Sequence, residues 1–270
     1  MNKDIRAGLP INHMVLGEGE ERALMMHCTL SSARSMAPMA LALDDIFTTT
    51  AFDLPGHGSS AKWDFNGDLQ DRVTEIAETF IDGPVHLIGH SFGATVALRL
   101  IAKIPERIKS IVLFEPVFVK AALQNQPELR APYLMQTRAF QQAMAESDKE
   151  QATIEFLKMW GDGAPWDVIP PHIRQSMIEK IDVVDAGTPS LHQDRHGLLG
   201  SSGIQTYTGP AMLVRGGKSI SIMQHVHAAL CDMMPQAEDH EIADAGHMVP
   251  LTHTAECGAL MRDFYRRSGF

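Results

Sequence analysis

Five residues, Gly89-His90-Ser91-Phe92-Gly93, follow directly on the apolar run Val85-His86-Leu87-Ile88, and this juxtaposition constrains the fold more than any other feature of the chain. It predicts a strand that turns sharply into a helix, with a serine at the turn and a glycine two residues to either side to leave room for a strained backbone. Ala94 to Lys103 supplies the helix. A bare G-x-S-x-G is a weak signal, but one set between a strand and a helix describes a nucleophile elbow, with the serine hydroxyl raised above the sheet edge.

The elbow sits in a chain of 270 residues. Apolar runs alternate with helical stretches, which predicts a mostly parallel, doubly wound α/β sheet covered on both faces. His13 to Leu16 and Ala23 to Met26 are expected as early strands joined in a hairpin by Gly17-Glu18-Gly19-Glu20. Phe47 to Phe52 forms the next strand and gives way to the turn-rich Asp53-Leu54-Pro55-Gly56-His57-Gly58. A helix over Leu69 to Phe80 leads to the strand before the elbow. The strand from Ile108 to Phe114 stops at Glu115-Pro116.

From about residue 117 to 207 the strand signal disappears, and helices are expected near 128–146, 149–160 and 171–184. The expected organisation is a core of residues 1–116 and 208–270 interrupted by a helical cap of residues 117–207. Leu30, Tyr133, Phe140, Met144, Met159, Trp160, Trp166 and Met248 are candidates to line a substrate pocket; plain helix packing is the competing account of the cap residues among them. Strands near 211–214 and 240–242 and a helix after Pro250 complete the core.

A formal net charge of −10 leaves no basic stripe to neutralise phosphates, which argues against nucleic acid or an anionic membrane as partner. Cys28, Cys231 and Cys257 fit neither a disulfide framework nor a zinc site. No H-E-x-x-H motif or carboxylate-supported H-x-x-x-H pair suggests a metal. With no apolar leader and no run long enough to span a bilayer, the expected location is the cytoplasm. Homo-oligomerisation is left open.

Four motifs in order make the chain resemble the α/β-hydrolase family: Met26-His27, Asp53-Leu54-Pro55-Gly56-His57-Gly58-Ser59-Ser60, the Gly89 to Gly93 elbow, and Ala245-Gly246-His247. The resemblance implies a cofactor-free serine hydrolase acting on a small molecule, with Ser91 as nucleophile and His247 as its base. A serine hydroxyl needs such an imidazole, because unaided it is a poor nucleophile at neutral pH. The resemblance also implies an oxyanion hole. Its first N–H belongs to Phe92, after the nucleophile; the second is assigned to Thr29, with Leu30 as the alternative, because Cys28 replaces the family's usual glycine. Most relatives carry the third member, an acid, near the position of Ser219, but Leu213 to Ser221 contains no carboxylate. Glu115, at the end of the strand after the elbow helix, is therefore the candidate, as in a minority of the family that includes some haloalkane dehalogenases. The expected reaction is cleavage of a small or medium carboxylic ester, lactone or thioester through an acyl-enzyme. Carbon–carbon bond hydrolysis and a ligand receptor without turnover are the alternatives.

Overall fold

The computed structural model describes residues 2–270. Its eight strands are β1 (Asn2–Arg6), β2 (Leu9–Leu16), β3 (Glu21–Met26), β4 (Phe47–Phe52), β5 (Val85–His90), β6 (Ile108–Phe114), β7 (Ala211–Gly216) and β8 (Ala237–Ile242). They form one sheet in the order β1-β2-β4-β3-β5-β6-β7-β8. All pairings from β4 to β8 are parallel, whereas β2 is antiparallel to both of its neighbours. The expected hairpin between β2 and β3 does not form, because β4 lies between them. The reason is visible in the connection: Glu18 and Gly19 donate their N–H groups to Asp44 O and Glu21 donates to Ile46 O, tying this turn to the chain that enters β4.

Parallel strands buried on both faces sort their side chains by alternation. Leu24, Met26, Leu87, Ile111, Leu113 and Leu213 enter one apolar core, and Met25, Ile88, Val112, Phe114, Met212 and Val214 enter the other. The helices of the core are α1 (Ala37–Leu41), α2 (Leu69–Glu78) and α3 (Phe92–Lys103). Between β6 and β7 the chain forms only α4 (Val119–Asn125), α5 (Arg130–Ala145), α6 (Lys149–Trp160), α7 (Pro171–Ile178), α8 (Ile181–His192) and short 3-10 turns. The core resumes with α9 (Ile222–Met233), α10 (Val249–Thr252) and α11 (Thr254–Arg267). Helices α2, α3, α4 and α9 contribute to the first core, and α1 and α11 to the second. The helix expected at 171–184 is two: α7 closes as Glu179 N–H meets Gln175 O, and a new turn opens with Val183 N–H on Lys180 O. Asp68 caps α2 through Gln70 and Asp71 and also accepts from Ser190 Oγ at 2.7 Å, which pins the end of α8 to the sheet domain. Among the described residues no helix is long and apolar enough to cross a membrane.

The loops at the carboxyl edge are cross-linked by buried polar groups. Asp53 accepts from Asn12 Nδ2 at 2.7 Å, Ala33 N at 2.7 Å and Ser59 N at 2.9 Å. His27 donates from Nδ1 to the Cys28 carbonyl and accepts the Leu54 N–H at Nε2, while His57 donates from Nδ1 to the Pro55 carbonyl and accepts the Leu30 N–H. Each of these rings thus works as a neutral bridge between two loops, and a proton on the accepting nitrogen would break one bridge.

Two stability measurements follow from these arrangements. A Cβ built on Gly93 falls 2.3 Å from the Met26 carbonyl oxygen, whereas one on Gly83 meets nothing within 4 Å. Gly93→Ala is expected to lose more than about 3 kcal/mol in urea unfolding and Gly83→Ala to stay within about 0.5 kcal/mol. Burial also lowers the pKa of His27 and His86 to about 4 and that of His57 to about 3, from the usual 6.5. The unfolded chain therefore takes up protons below pH 6.5 that the folded chain refuses. Stability is intact above that pH and is lost progressively as pH falls towards 4, by up to about 1.4 kcal/mol per pH unit per histidine. Urea midpoints that do not move across this range would contradict the assignment.

Candidate active site

Three strand ends meet at the carboxyl edge of the sheet. Ser91 N–H donates to Phe114 O at 2.8 Å and Glu115 N–H to Val214 O at 3.0 Å, so each parallel ladder continues one residue beyond its strand. Both residues then leave the ladder with left-handed backbones, Ser91 at φ 55° and Glu115 at φ 49°. Such conformations in non-glycine residues are costly and persist only where the surroundings enforce them. The turn at the elbow is tight enough that a Cβ on Gly89 would lie 2.6 Å from Ala94 Cα, so only glycine fits there. The third end is the loop after β8, where Lys218 N–H donates to Ala245 O at 2.9 Å and fixes the approach to His247.

These elements bring the sequence-predicted trio into one hydrogen-bonded chain. His247 Nε2 lies 2.8 Å from Ser91 Oγ, and His247 Nδ1 lies 2.9 Å from Glu115 Oε2. The carboxylate can only accept from Nδ1–H, which leaves Nε2 to accept the serine proton. Glu115 is fully buried, a position that is costly for a carboxylate unless its oxygens are filled. The other oxygen, Oε1, accepts from Gly216 N at 2.7 Å and from Ser219 Oγ at 2.8 Å. Ser219, the position at which the family resemblance led us to look for an acid, is here a hydrogen-bond donor to Glu115. Sequence reasoning assigned it no role, because a hydroxyl gives no signal of its own until its partner is placed.

Two further rings hold the imidazole. His90 donates from Nε2 to the His247 carbonyl at 2.9 Å, and burial lowers the pKa of His90 to about 3, so it stays neutral. The Trp160 ring stands 4.7 Å from the His247 ring in an edge-on arrangement.

The two N–H groups assigned to oxyanion binding, those of Thr29 and Phe92, find no acceptor in the protein among the described residues. The Leu30 N–H, the alternative, is already committed to His57 Nε2 at 3.0 Å. Cys28 is buried, and that burial pushes its thiol up to about 12, which removes it as a nucleophile.

Ser91, Phe92 and Thr29 open onto a cleft under the helices between β6 and β7. Of the residues expected to line it, Tyr133, Phe140, Met159 and Trp160 do so. Leu30 and Met248 line a neighbouring cavity that shares Thr29 and Trp160 with the first. Met144 and Trp166 stand elsewhere. Met144 lies in a shallow depression with Phe65 and Asp182, and Trp166 turns outward, with its ring under Arg174 and its Nε1–H on Glu150. Helical spacing identified them as apolar but could not say which face of the helix bundle they occupy. The sequence reading missed Val184, Asp185, Thr188, Leu191 and His192 of α8, all of which line the cleft. Their spacing was the available signal, but Gly187 and Pro189 masked the helix. No group of three or more His, Cys, Asp or Glu side chains among the described residues is arranged to hold a metal ion.

A model described as the Alpha/beta hydrolase family matches residues 23–259. The chain is 28% identical over 230 residues to the dihydrolipoyllysine-residue acetyltransferase component of an acetoin cleaving system from Pseudomonas putida, covering 80% of this chain and 56% of that protein. It therefore spans little more than half the length of that relative. It is 28% identical over 243 residues to a pimeloyl-(acyl-carrier protein) methyl ester esterase from Methylococcus capsulatus, covering 84% of this chain and 87% of that protein. An alpha/beta hydrolase from Sphaerobacter thermophilus superposes with a TM-score of 0.69 at 22% identity, covering 98% of this chain and 100% of that one, a likeness of fold. With the family model spanning the sheet, the elbow and the His247 loop, the chain belongs to the alpha/beta hydrolase family.

Proposed function

We propose that the protein is a serine hydrolase that cleaves a small or medium carboxylic ester, lactone or thioester through an acyl-enzyme. The observation that carries this reading is the continuous chain from Glu115 through His247 to Ser91 at the floor of an apolar cleft. In this mechanism His247 Nε2 takes the proton of Ser91 Oγ as the oxygen attacks the substrate carbonyl. Glu115 holds the tautomer and stabilises the imidazolium, and the N–H groups of Phe92 and Thr29 receive the charge on the carbonyl oxygen. His247 then protonates the leaving alcohol or thiol. Water, deprotonated by the same nitrogen, releases the acid and regenerates the serine. The esterase relative, nearly all of whose length the chain covers, supports an ester over a carbon–carbon bond as the target. The filled set of donors around Glu115 supports turnover over a receptor role, since the acid missing after β7 is supplied from β6.

Two experiments test this. A fluorophosphonate probe should label wild type and not Ser91→Ala, and Glu115→Gln should reduce kcat by about 10² to 10⁴-fold with little change in KM on p-nitrophenyl esters. Ser219→Asp in the Glu115→Gln background should restore part of that loss. Near-wild-type turnover in Glu115→Gln alone would remove it from the mechanism.

We further propose that residues 117–207 act as a cap that selects the substrate. On this reading Trp160→Ala, which alters the cleft wall beside His247, changes the relative rates of different acyl groups, and Trp166→Ala, on the outer surface, does not. Equal slowing of every ester by Trp160→Ala would show that the ring serves the imidazole and not selection.

A further inference from the structure

The cleft above Ser91 is not lined as a simple alkyl pocket. On α5 the residues facing it include Tyr133, Thr137 and Gln141, four apart, and on α8 they include Asp185, Thr188 and His192, at spacings of three and four. At these spacings each trio forms one continuous polar stripe on its helix, running about 10 to 12 Å at 1.5 Å per residue. The remaining walls, with Phe140, Phe156, Met159, Leu191 and Val117, are apolar. The two stripes meet where Tyr133 Oη lies 2.9 Å from His192 Nε2. Tyr133 and Thr137 are each almost wholly buried, at 6% and 5% exposure, and both line the cleft, the Tyr133 hydroxyl with His192 as its partner. Within the stripes Thr137 and Thr188 make only long contacts, each 3.4 Å, to carbonyls of their own helices.

Resting on the hydrolase reading above, we propose that the substrate's acyl portion carries an uncharged hydrogen-bonding group, such as a hydroxyl or amide, and that Tyr133, Thr188 and His192 recognise it while Asp185 rejects an anionic one. A few placed polar groups in an otherwise apolar pocket fix orientation and specificity. A site built to hydrogen-bond a substrate discriminates strongly against the analogue that leaves those groups unpaired. The sign of the charge follows from the lining: Asp185, an exposed residue shared with the depression beside Met144, contributes a carboxylate, and no lysine or arginine lines the cleft. Burial, and then the charge of Arg130, lowers the pKa of His192.

The test compares p-nitrophenyl esters of straight-chain acids from butanoyl to octanoyl with their terminally hydroxylated counterparts and with the matching dicarboxylic monoesters. Wild type should prefer the hydroxylated ester at one chain length or more by about 10-fold in kcat/KM, the worth of one net hydrogen bond, and should disfavour the anionic monoester. The ratio within each variant is the readout, so a general loss of rate does not obscure it. Tyr133→Phe and His192→Leu should bring the hydroxyl-to-alkyl ratio close to one, and His192→Gln should restore part of it. Asp185→Asn should relieve the rejection of the monoester and leave the hydroxyl-to-alkyl ratio unchanged. A wild-type ratio near one at every length, or a ratio unmoved in both Tyr133→Phe and His192→Leu, would overturn the proposal. Tryptophan fluorescence of Ser91→Ala titrated with hexanamide and its terminally hydroxylated analogue reads the same preference without turnover. Selective binding by a protein that cleaves none of the esters would sink the hydrolase reading alone, and unselective hydrolysis would sink only this one.

Discussion

Everything at the carboxyl edge depends on the parallel register of β5, β6 and β7. Because Gly89 pairs with Leu113 and Leu113 with Leu213, the next residues along each strand arrive at the same height. The ladder bonds from Ser91 to Phe114 and from Glu115 to Val214 then fix where each strand turns away. A slip of one residue would carry every side chain of the strand to the opposite face. Ser91 and Glu115 would no longer share a histidine, and Leu87, Ile111 and Leu113 would exchange cores with Ile88, Val112 and Phe114. The packing that stabilises the sheet thus also holds the geometry of the site.

The buried Glu115 shows how a charge is kept where apolar burial alone would expel it. Three donors, the Gly216 N–H, the Ser219 hydroxyl and the His247 Nδ1–H, come from two different loops. The carboxylate therefore locks the loop after β7 to the loop after β8 while it orients the imidazole. Removing its charge is expected to loosen both, which is why the KM and kcat consequences must be read separately. Around this centre, His27, His57 and His90 perform a humbler task. His27 and His57 each bridge two loops through a donating and an accepting nitrogen, and His90 holds the His247 carbonyl through Nε2 alone. Of the 13 histidines, these three stand at the elbow and the two loops beside it, and none of them is hydrogen-bonded to Ser91 Oγ.

In the helices between β6 and β7 packing and cleft lining overlap, because Phe140 and Val184 do both. Phe140, Ala143, Ala152, Ile181 and Val184 form a small apolar cluster of their own that holds α5, α6 and α8 together. The polar stripes of α5 and α8 lie beside that cluster. Trp160, at the end of α6, is the point where this layer touches the imidazole directly.

The sequence by itself determined the α/β sheet, the elbow at Ser91, the candidacy of His247 as its base and, by the vacancy of carboxylates between Leu213 and Ser221, the candidacy of Glu115. These were legible because they rest on local chemistry: strand-turn-helix signals, glycine spacing and residue types that the proposed reaction requires. Tertiary structure decided the rest. It inserted β4 between β2 and β3, because the turn donors of Glu18 and Gly19 reach Asp44, a partner that lies far along the chain. Ser219 became a donor to Glu115, and the Leu30 N–H went to His57 and not to the cleft. The same structure sorted Tyr133 and Trp160 into the cleft and Met144 and Trp166 out of it. Helical periodicity says which residues share a face, but the neighbour that face meets is set by packing between elements distant in sequence, and no local pattern encodes it.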